Sequence, residues 1–208
     1  LMSNELKNSK NSSMVEIFVN FLSFVLLGII ATAIGIIFFQ VINKYFPDIL
    51  SLTYRGYEFS AFNASAIHYS IASLVVGFPL YFWALWFWFK SFRGSKDLEE
   101  SRLSKWLTYI VLLIASVTVI GDLITVIYNF LSGEFGARFL LKALVILVIS
   151  VFIFIFYFLE RKKIQYKKDV SPIFFKVLTA FALTAIVLAI VLGFIAGGTP
   201  FEARLRKF

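Results

Sequence analysis

The sequence contains no cysteine and only one histidine, and each shortage excludes a kind of chemistry. Without cysteine the chain can form no disulfide, no thiolate metal site and no thiol nucleophile. A single histidine excludes a haem held by two histidines of this chain. The sequence also lacks a glycine-rich phosphate loop and any motif that places a nucleophile beside a base. We therefore expect a protein that is not an enzyme and that carries no cofactor or metal.

Charged residues are also scarce. They make up 15% of the 208 residues, and hydrophobic residues make up 60%, whereas soluble domains carry about 25% charged residues. A bilayer core about 30 Å thick is crossed by roughly 20 apolar residues in a helix, and the chain contains five such runs. The composition therefore predicts an all-α, polytopic membrane helix bundle. We expect one transmembrane domain over 15–199, with spans at about 15–42, 66–89, 106–131, 138–159 and 173–196.

The two ends of the chain are polar. Residues 1–14 are rich in Asn, Ser and Lys and are expected to form a disordered tail, and 200–208 form a short basic tail. The net charge of +8 could suggest nucleic acid. The basic residues lie mainly at the ends of the spans, however, so we expect a lipid bilayer and no nucleic acid as the partner. Most of them fall in the amino tail and in the loops after spans two and four, which predicts a cytoplasmic amino terminus.

Small residues and one proline mark contacts between the spans. Small side chains recur on one face of span one and on one face of span five, which permits close helix approach. These residues are Gly28, Ala31, Thr32 and Gly35, then Ala182, Ala185, Ala189 and Gly193. Span two contains Gly77 and Pro79, and because proline lacks an N–H donor we expect a kink there.

Span three carries the only acidic residue inside a long apolar run, Asp122. At helical spacing it shares a face with four small or polar residues: Ala115, Thr118, Thr125 and Asn129. A carboxylate at this depth costs about 2.5 to 3.5 kcal/mol on insertion scales, so we expect it to have a partner.

Four further ionisable residues are expected near Asp122. Lys142, early in span four, has a flexible stem that could reach down toward the carboxylate. Arg138 can pair with Glu134, one helical turn away, and His68 enters the membrane from the same side. We predict a buried polar cluster of Asp122, Lys142, Arg138, Glu134 and His68. It is either a clamp between spans three and four or an outward-facing pocket for a proton, an ion or an anionic small molecule.

Three segments resemble the signature blocks of an uncharacterised bacterial integral-membrane family described only as a domain of unknown function. The segments are 71–79, 104–109 and 120–142, the last with Ile120-Gly121-Asp122 and Arg138-Phe139-Leu140-Leu141-Lys142. The resemblance covers most of the chain from the first span onward, and it departs at His68, where the family pattern has arginine. It implies a multi-pass protein of the bacterial cytoplasmic (inner) membrane and supplies no activity.

Two functions are consistent with these observations. The first is a non-enzymatic accessory or assembly component of a membrane complex, with a membrane protein or a second copy of the chain as its partner. It rests on the small-residue faces and on the lack of catalytic groups. The alternative is a small transporter or channel-like protein that uses an outward-facing polar pocket around Asp122.

Overall fold

The computed structural model describes residues 2–46, 62–93, 102–133, 136–166 and 172–197. These ranges form five helices and contain no strand. The helices are α1 (Met2–Tyr45), α2 (Ala64–Arg93), α3 (Arg102–Leu131), α4 (Ala137–Tyr166) and α5 (Pro172–Gly197). Each contains a segment long and apolar enough to cross a membrane. The predicted multi-pass helical bundle with five spans is therefore confirmed.

At the amino end, α1 begins at Met2 and continues without a break into the first span. No Gly or Pro stands between Met2 and Val15, and extending an existing helix adds one hydrogen bond per residue. The disordered tail expected over 1–14 stays a prediction. The expected basic tail at 200–208 lies outside the described residues.

Helix α1 is the centre of the bundle, because it contacts all four other helices. One face of α1 packs with α2 and α5 into a core in which Ile37, Ile67, Leu74 and Ala189 are fully buried. In a bilayer such packing stabilises through van der Waals contact rather than through removal from water. The core therefore depends on close fit between these three helices.

Glycines provide that fit where α5 meets α2. A Cβ atom at Gly193 would lie 3.0 Å from Cδ1 of Ile71, and one at Gly197 would lie 3.3 Å from Ile67 and from Nε2 of His68. The predicted small face of α5 is thus a packing face near its carboxyl end. The face expected on α1 is more open, since Gly28 and Thr32 are exposed, whereas the neighbouring Ala33 is buried.

Helix α2 remains one helix through Pro79. Gly77 is buried against α1, where an added Cβ would lie 3.6 Å from Ile30. Gly77 therefore marks a contact between α2 and α1, whereas Pro79 is exposed. The bend expected at Gly77 and Pro79 stays a prediction.

Helices α3 and α4 form a second unit. They are joined by a short turn in which Gly133 has a φ of +72°, a left-handed conformation that glycine adopts without strain. This glycine ends α3 after Leu131, as the sequence predicts. Helix α3 packs on α4 and more lightly on α1, and only 6% of the residues in its most apolar segment are buried. It is therefore the peripheral helix of the described bundle.

Candidate functional site

The polar contacts between helices concentrate where α1 ends. The last two turns of α1 carry Gln40, Asn43 and Lys44, and each side chain contacts a different helix or its capping residue. Residues four apart share a helix face, so Gln40 and Lys44 lie on one side and Phe39 and Asn43 on the next.

Gln40 holds the start of α2. Its Oε1 accepts a hydrogen bond of 2.7 Å from the backbone N–H of Asn63. Asn63 in turn accepts from the N–H of Ala66 at 3.2 Å through Oδ1, which is the position and the role of an N-cap residue. The first turn of α2 is thereby fixed to the end of α1.

Lys44 holds the end of α5. Its ammonium donates a hydrogen bond of 2.7 Å to the carbonyl of Ala196 and lies 5.5 Å from the centre of the Phe62 ring. The last carbonyls of a helix have no partner within the helix and carry partial negative charge, so a cation there is favourable. Lys44 thus acts as a carboxyl cap supplied by another helix.

Two predicted site residues, Arg138 and Lys142, meet α1 from the other side. Nε and Nη2 of Arg138 both donate to Oδ1 of Asn43, at 3.0 and 2.7 Å. The ammonium of Lys142 lies 5.6 Å from the centre of the Phe39 ring, within the range of a cation–π contact. Both residues are partly buried. Glu134, the partner expected for Arg138, lies outside the described residues.

His68 belongs to a different contact. Its ring lies against the end of α5, where a Cβ atom added to Gly197 would lie 3.3 Å from Nε2 of His68. This Nε2 is buried and has no hydrogen-bond partner among the described residues, as is also true of Oγ of Ser70. The structure therefore places His68 between α2 and α5, while Arg138 and Lys142 lie between α4 and α1.

Asp122 is partly buried, at the edge between the packed and the open face of α3. Ala115, on the packed face, is 6% exposed, whereas Gly121 and Thr125 beside Asp122 are exposed. In the described part of the chain Asp122 forms no ion pair, so the expected pair with Lys142 is not formed there. The ammonium of Lys142 is directed to Phe39 instead.

The polar neighbours of Asp122 on α3 are satisfied within the helix. The hydroxyls of Thr118 and Thr125 donate to the carbonyls of Ile114 and Gly121, at 2.8 and 2.7 Å. The amide of Asn129 donates to the carbonyl of Thr125 at 2.8 Å. These bonds use the donor groups of Thr118, Thr125 and Asn129, so oxygen acceptors remain on this face of α3.

Gln40, Asn43 and Lys44 were not among the site residues predicted from the sequence. The three polar residues stand close together at the end of the apolar run of span one, and this was the available signal. What the pattern lacked was the partner of each side chain, because Arg138 lies 95 positions from Asn43 and Ala196 lies 152 positions from Lys44. Within the described ranges no three His, Asp or Glu residues converge as metal ligands would.

The chain matches the model of one known protein family. The model of a family described as a domain of unknown function, DUF5671, matches residues 16–157. The chain belongs to this family. The match extends from α1 through most of α4 and includes Asn43, Asp122, Arg138 and Lys142, whereas α5 follows it. No curated protein and no solved structure matches the chain significantly.

Proposed function

We propose that this DUF5671 protein is a non-enzymatic accessory or assembly component of a membrane complex, and that a partner helix binds along α3. The observation that carries the proposal is Asp122, which lies within the third span without an ion-pair partner among the described residues. A charge at membrane depth is costly, by about 2.5 to 3.5 kcal/mol on insertion scales. A partner that pairs with the carboxylate removes much of that cost.

The depth of Asp122 supports a partner within the bilayer. It precedes the last residue of α3, Leu131, by nine positions, which at about 1.5 Å per residue puts it about 13 Å below the end of the helix. Water and headgroups are distant at that level of a core about 30 Å thick. The group that pairs with Asp122 is therefore expected on another transmembrane helix.

The flank beside Asp122 can accept such a helix. Gly121 is exposed, and a Cβ built there would meet no atom within 4 Å. Thr125, one turn further on, is exposed as well. Small residues one turn apart let two helix backbones approach closely in a membrane.

The polar face of α3 around Asp122 also determines which side chains its partner should carry. Ionised Asp122 accepts hydrogen bonds only, and the hydroxyls of Thr118 and Thr125 already donate within α3. The surface is therefore rich in acceptors and suits a helix that carries Lys, Arg or a side-chain amide. A second copy in the same orientation would bring two Asp122 carboxylates together at equal depth, and like charges repel. We therefore favour a different protein as the partner.

The proposed location is the bacterial cytoplasmic (inner) membrane, with the amino terminus in the cytoplasm. The support is the resemblance of the segments 71–79, 104–109 and 120–142 to a bacterial membrane family, together with the distribution of Lys and Arg between the loops.

Site-specific photocrosslinking in native membranes tests the partner helix. A photoreactive residue replaces Thr125, and the matched control replaces Val187, which is exposed on α5. We expect one specific product from position 125, none from position 187, and loss of the product in Asp122→Asn. Asp122→Lys should abolish the product, and an acidic substitution of the basic residue on the crosslinked partner should restore it. Equal products from both positions, or a product unaffected by Asp122→Asn, would contradict the proposal.

The same variant distinguishes an accessory role from transport. If the protein used Asp122 to carry a proton or an ion, purified Asp122→Asn in proteoliposomes would lose a flux that the wild type supports. For an accessory component we expect no such flux from either protein. A flux that only the wild type supports would favour the transporter and overturn the present proposal.

A further inference from the structure

Arg138 and Lys142 form a pair of cations on one face of α4. They lie four residues apart, so their side chains project from the same side of the helix. Arg138 is the second residue of α4, and Lys142 lies about 6 Å deeper at about 1.5 Å per residue. Like charges at this spacing repel each other, which favours a shared counter-ion.

Among the residues that the structure describes, the partners of both cations are neutral. Arg138 is bonded to the amide oxygen of Asn43, and Lys142 lies over the ring of Phe39. No carboxylate pairs with either cation within the ranges that the structure describes. Lys44 differs, because its ammonium is already bonded to the carbonyl of Ala196. The positive charge at Arg138 and Lys142 is thus not offset by the described residues around it.

Asn43 orients the guanidinium. The Oδ1 atom of Asn43 accepts hydrogen bonds from Nε and Nη2 of Arg138, at 3.0 and 2.7 Å. These bonds hold one edge of the planar guanidinium against α1. The remaining N–H groups of Arg138, on Nη1 and on the second position of Nη2, are then directed away from α1. The ammonium of Lys142 has three donors on a flexible stem that can extend toward the membrane surface. Together they form a donor set suited to a tetrahedral oxyanion.

We propose that Arg138 and Lys142, oriented by Asn43 and Phe39, form a binding site for a phosphate group. The depth fits this ligand, because the fourth apolar segment begins at Ala137, directly before Arg138, and we expect the end of a span to lie close to the lipid phosphates. Basic pockets between transmembrane helices bind anionic headgroups in this way. The phosphate is supplied either by an anionic phospholipid or by a soluble phosphate. The site is independent of the partner surface on α3.

Binding to the purified full chain tests the site. The probes are phosphatidylglycerol, phosphatidylcholine as the zwitterionic control, and inorganic phosphate, measured by native mass spectrometry and by thermal stabilisation in detergent. For Arg138→Gln/Lys142→Gln we expect about tenfold weaker binding of the phosphate ligand, equivalent to about 1.4 kcal/mol. Lys176→Gln is the matched control, since Lys176 is an exposed cation near the opposite end of α5 from Ala196. It should bind like the wild type.

Two milder variants keep the test informative if the double variant does not fold. Arg138→Lys retains the charge but loses the fork, and Asn43→Ala retains both cations but loses the orienting oxygen, so each should weaken binding by a smaller factor. Competition by inorganic phosphate against phosphatidylglycerol identifies a soluble source, and failure to compete identifies the lipid. The proposal is overturned if the cation variants bind both phosphate probes as tightly as the wild type, or if Lys176→Gln loses as much.

Discussion

Lys44 of α1 donates a hydrogen bond of 2.7 Å from Nζ to the carbonyl of Ala196 in α5, across 152 positions of the chain. The bond joins the end of the central helix to the end of the last helix. It also places a cation against carbonyls that have no partner within α5. Lys44 is therefore a structural residue of the bundle despite its exposed position.

Lys44→Met should lower the free energy of unfolding by about 1.5 kcal/mol, the lower end of the range for a hydrogen bond that involves a charged group, because Lys44 is exposed. The stem of the side chain is retained, so the loss reports the ammonium. The measurement is the unfolding equilibrium in mixed micelles titrated with a denaturing detergent. Lys176→Met removes a cation near the other end of α5 and should change this free energy little. Equal effects would show that overall charge, and not the bond to Ala196, is responsible.

Gly193 is expected to tolerate no larger residue. A Cβ there would lie 3.0 Å from Cδ1 and 3.2 Å from Cγ1 of Ile71, so Gly193→Leu should destabilise the bundle by about 1 to 3 kcal/mol through overpacking. The smaller change Gly193→Ala should be partly rescued by Ile71→Val, which removes the nearest methyl group.

The control for this prediction is Gly28→Ala. Gly28 is exposed and a Cβ there meets no atom within 4 Å, so this substitution should leave the unfolding free energy unchanged or slightly raised. A destabilisation at Gly28 as large as that at Gly193 would contradict the packing arrangement of α5 on α2.

Asn43 and Arg138 should be energetically coupled. In a double-mutant cycle of Asn43→Ala and Arg138→Gln we expect a coupling of about 1 kcal/mol, because two donors of one guanidinium share one acceptor. The same cycle between Asn43 and Lys176 should give additive changes. Additivity in the first cycle would mean that the contact between α1 and α4 does not depend on this bond.

The membrane orientation can be measured with single cysteines, because the natural chain has none to interfere. We expect Ser132→Cys, exposed after α3, to react with a membrane-impermeant maleimide from outside spheroplasts. Lys176→Cys, exposed in the first turn and a half of α5, should react only after permeabilisation. The opposite pattern would invert the orientation expected from the positive residues in the loops.

The existence and extent of the spans could be predicted from the sequence, because hydrophobic runs of this length have few alternatives. Span three was expected to end at 131, where α3 ends and Gly133 follows, and span five was expected to begin at 173, directly after Pro172, the first residue of α5. In each case a local rule decides the boundary. Span one was expected to begin near residue 15, where the apolar run starts, whereas α1 itself begins at Met2, because a helix can extend beyond the apolar run that crosses the membrane.

The contacts of the site were less predictable. Asp122 and Lys142 were expected to pair because they lie on adjacent helices and the flexible stem of Lys142 could reach down to the deeper Asp122. The depth of each residue follows from the sequence. The rotation of each helix about its own axis does not follow from the sequence, because packing against the neighbouring helices fixes it. Each step along the helix turns the side-chain direction by about 100°, so a small rotation changes which residues face each other. That rotation places Lys142 over Phe39 and places Asp122 beside the open flank at Gly121.

The central position of α1 also affects the order in which the contacts of the bundle can form. Of the five described helices, α1 is synthesised before the other four, yet the polar side chains at its end bind α4, α5 and the residue that caps α2. Gln40 can bind the start of α2 as soon as α2 is made, whereas Asn43 can bind Arg138 only after α4 is made and Lys44 can bind Ala196 only after α5 is made. These contacts are therefore complete only when α5 has been made, and a chain truncated before α5 would leave the Lys44 ammonium without its carbonyl.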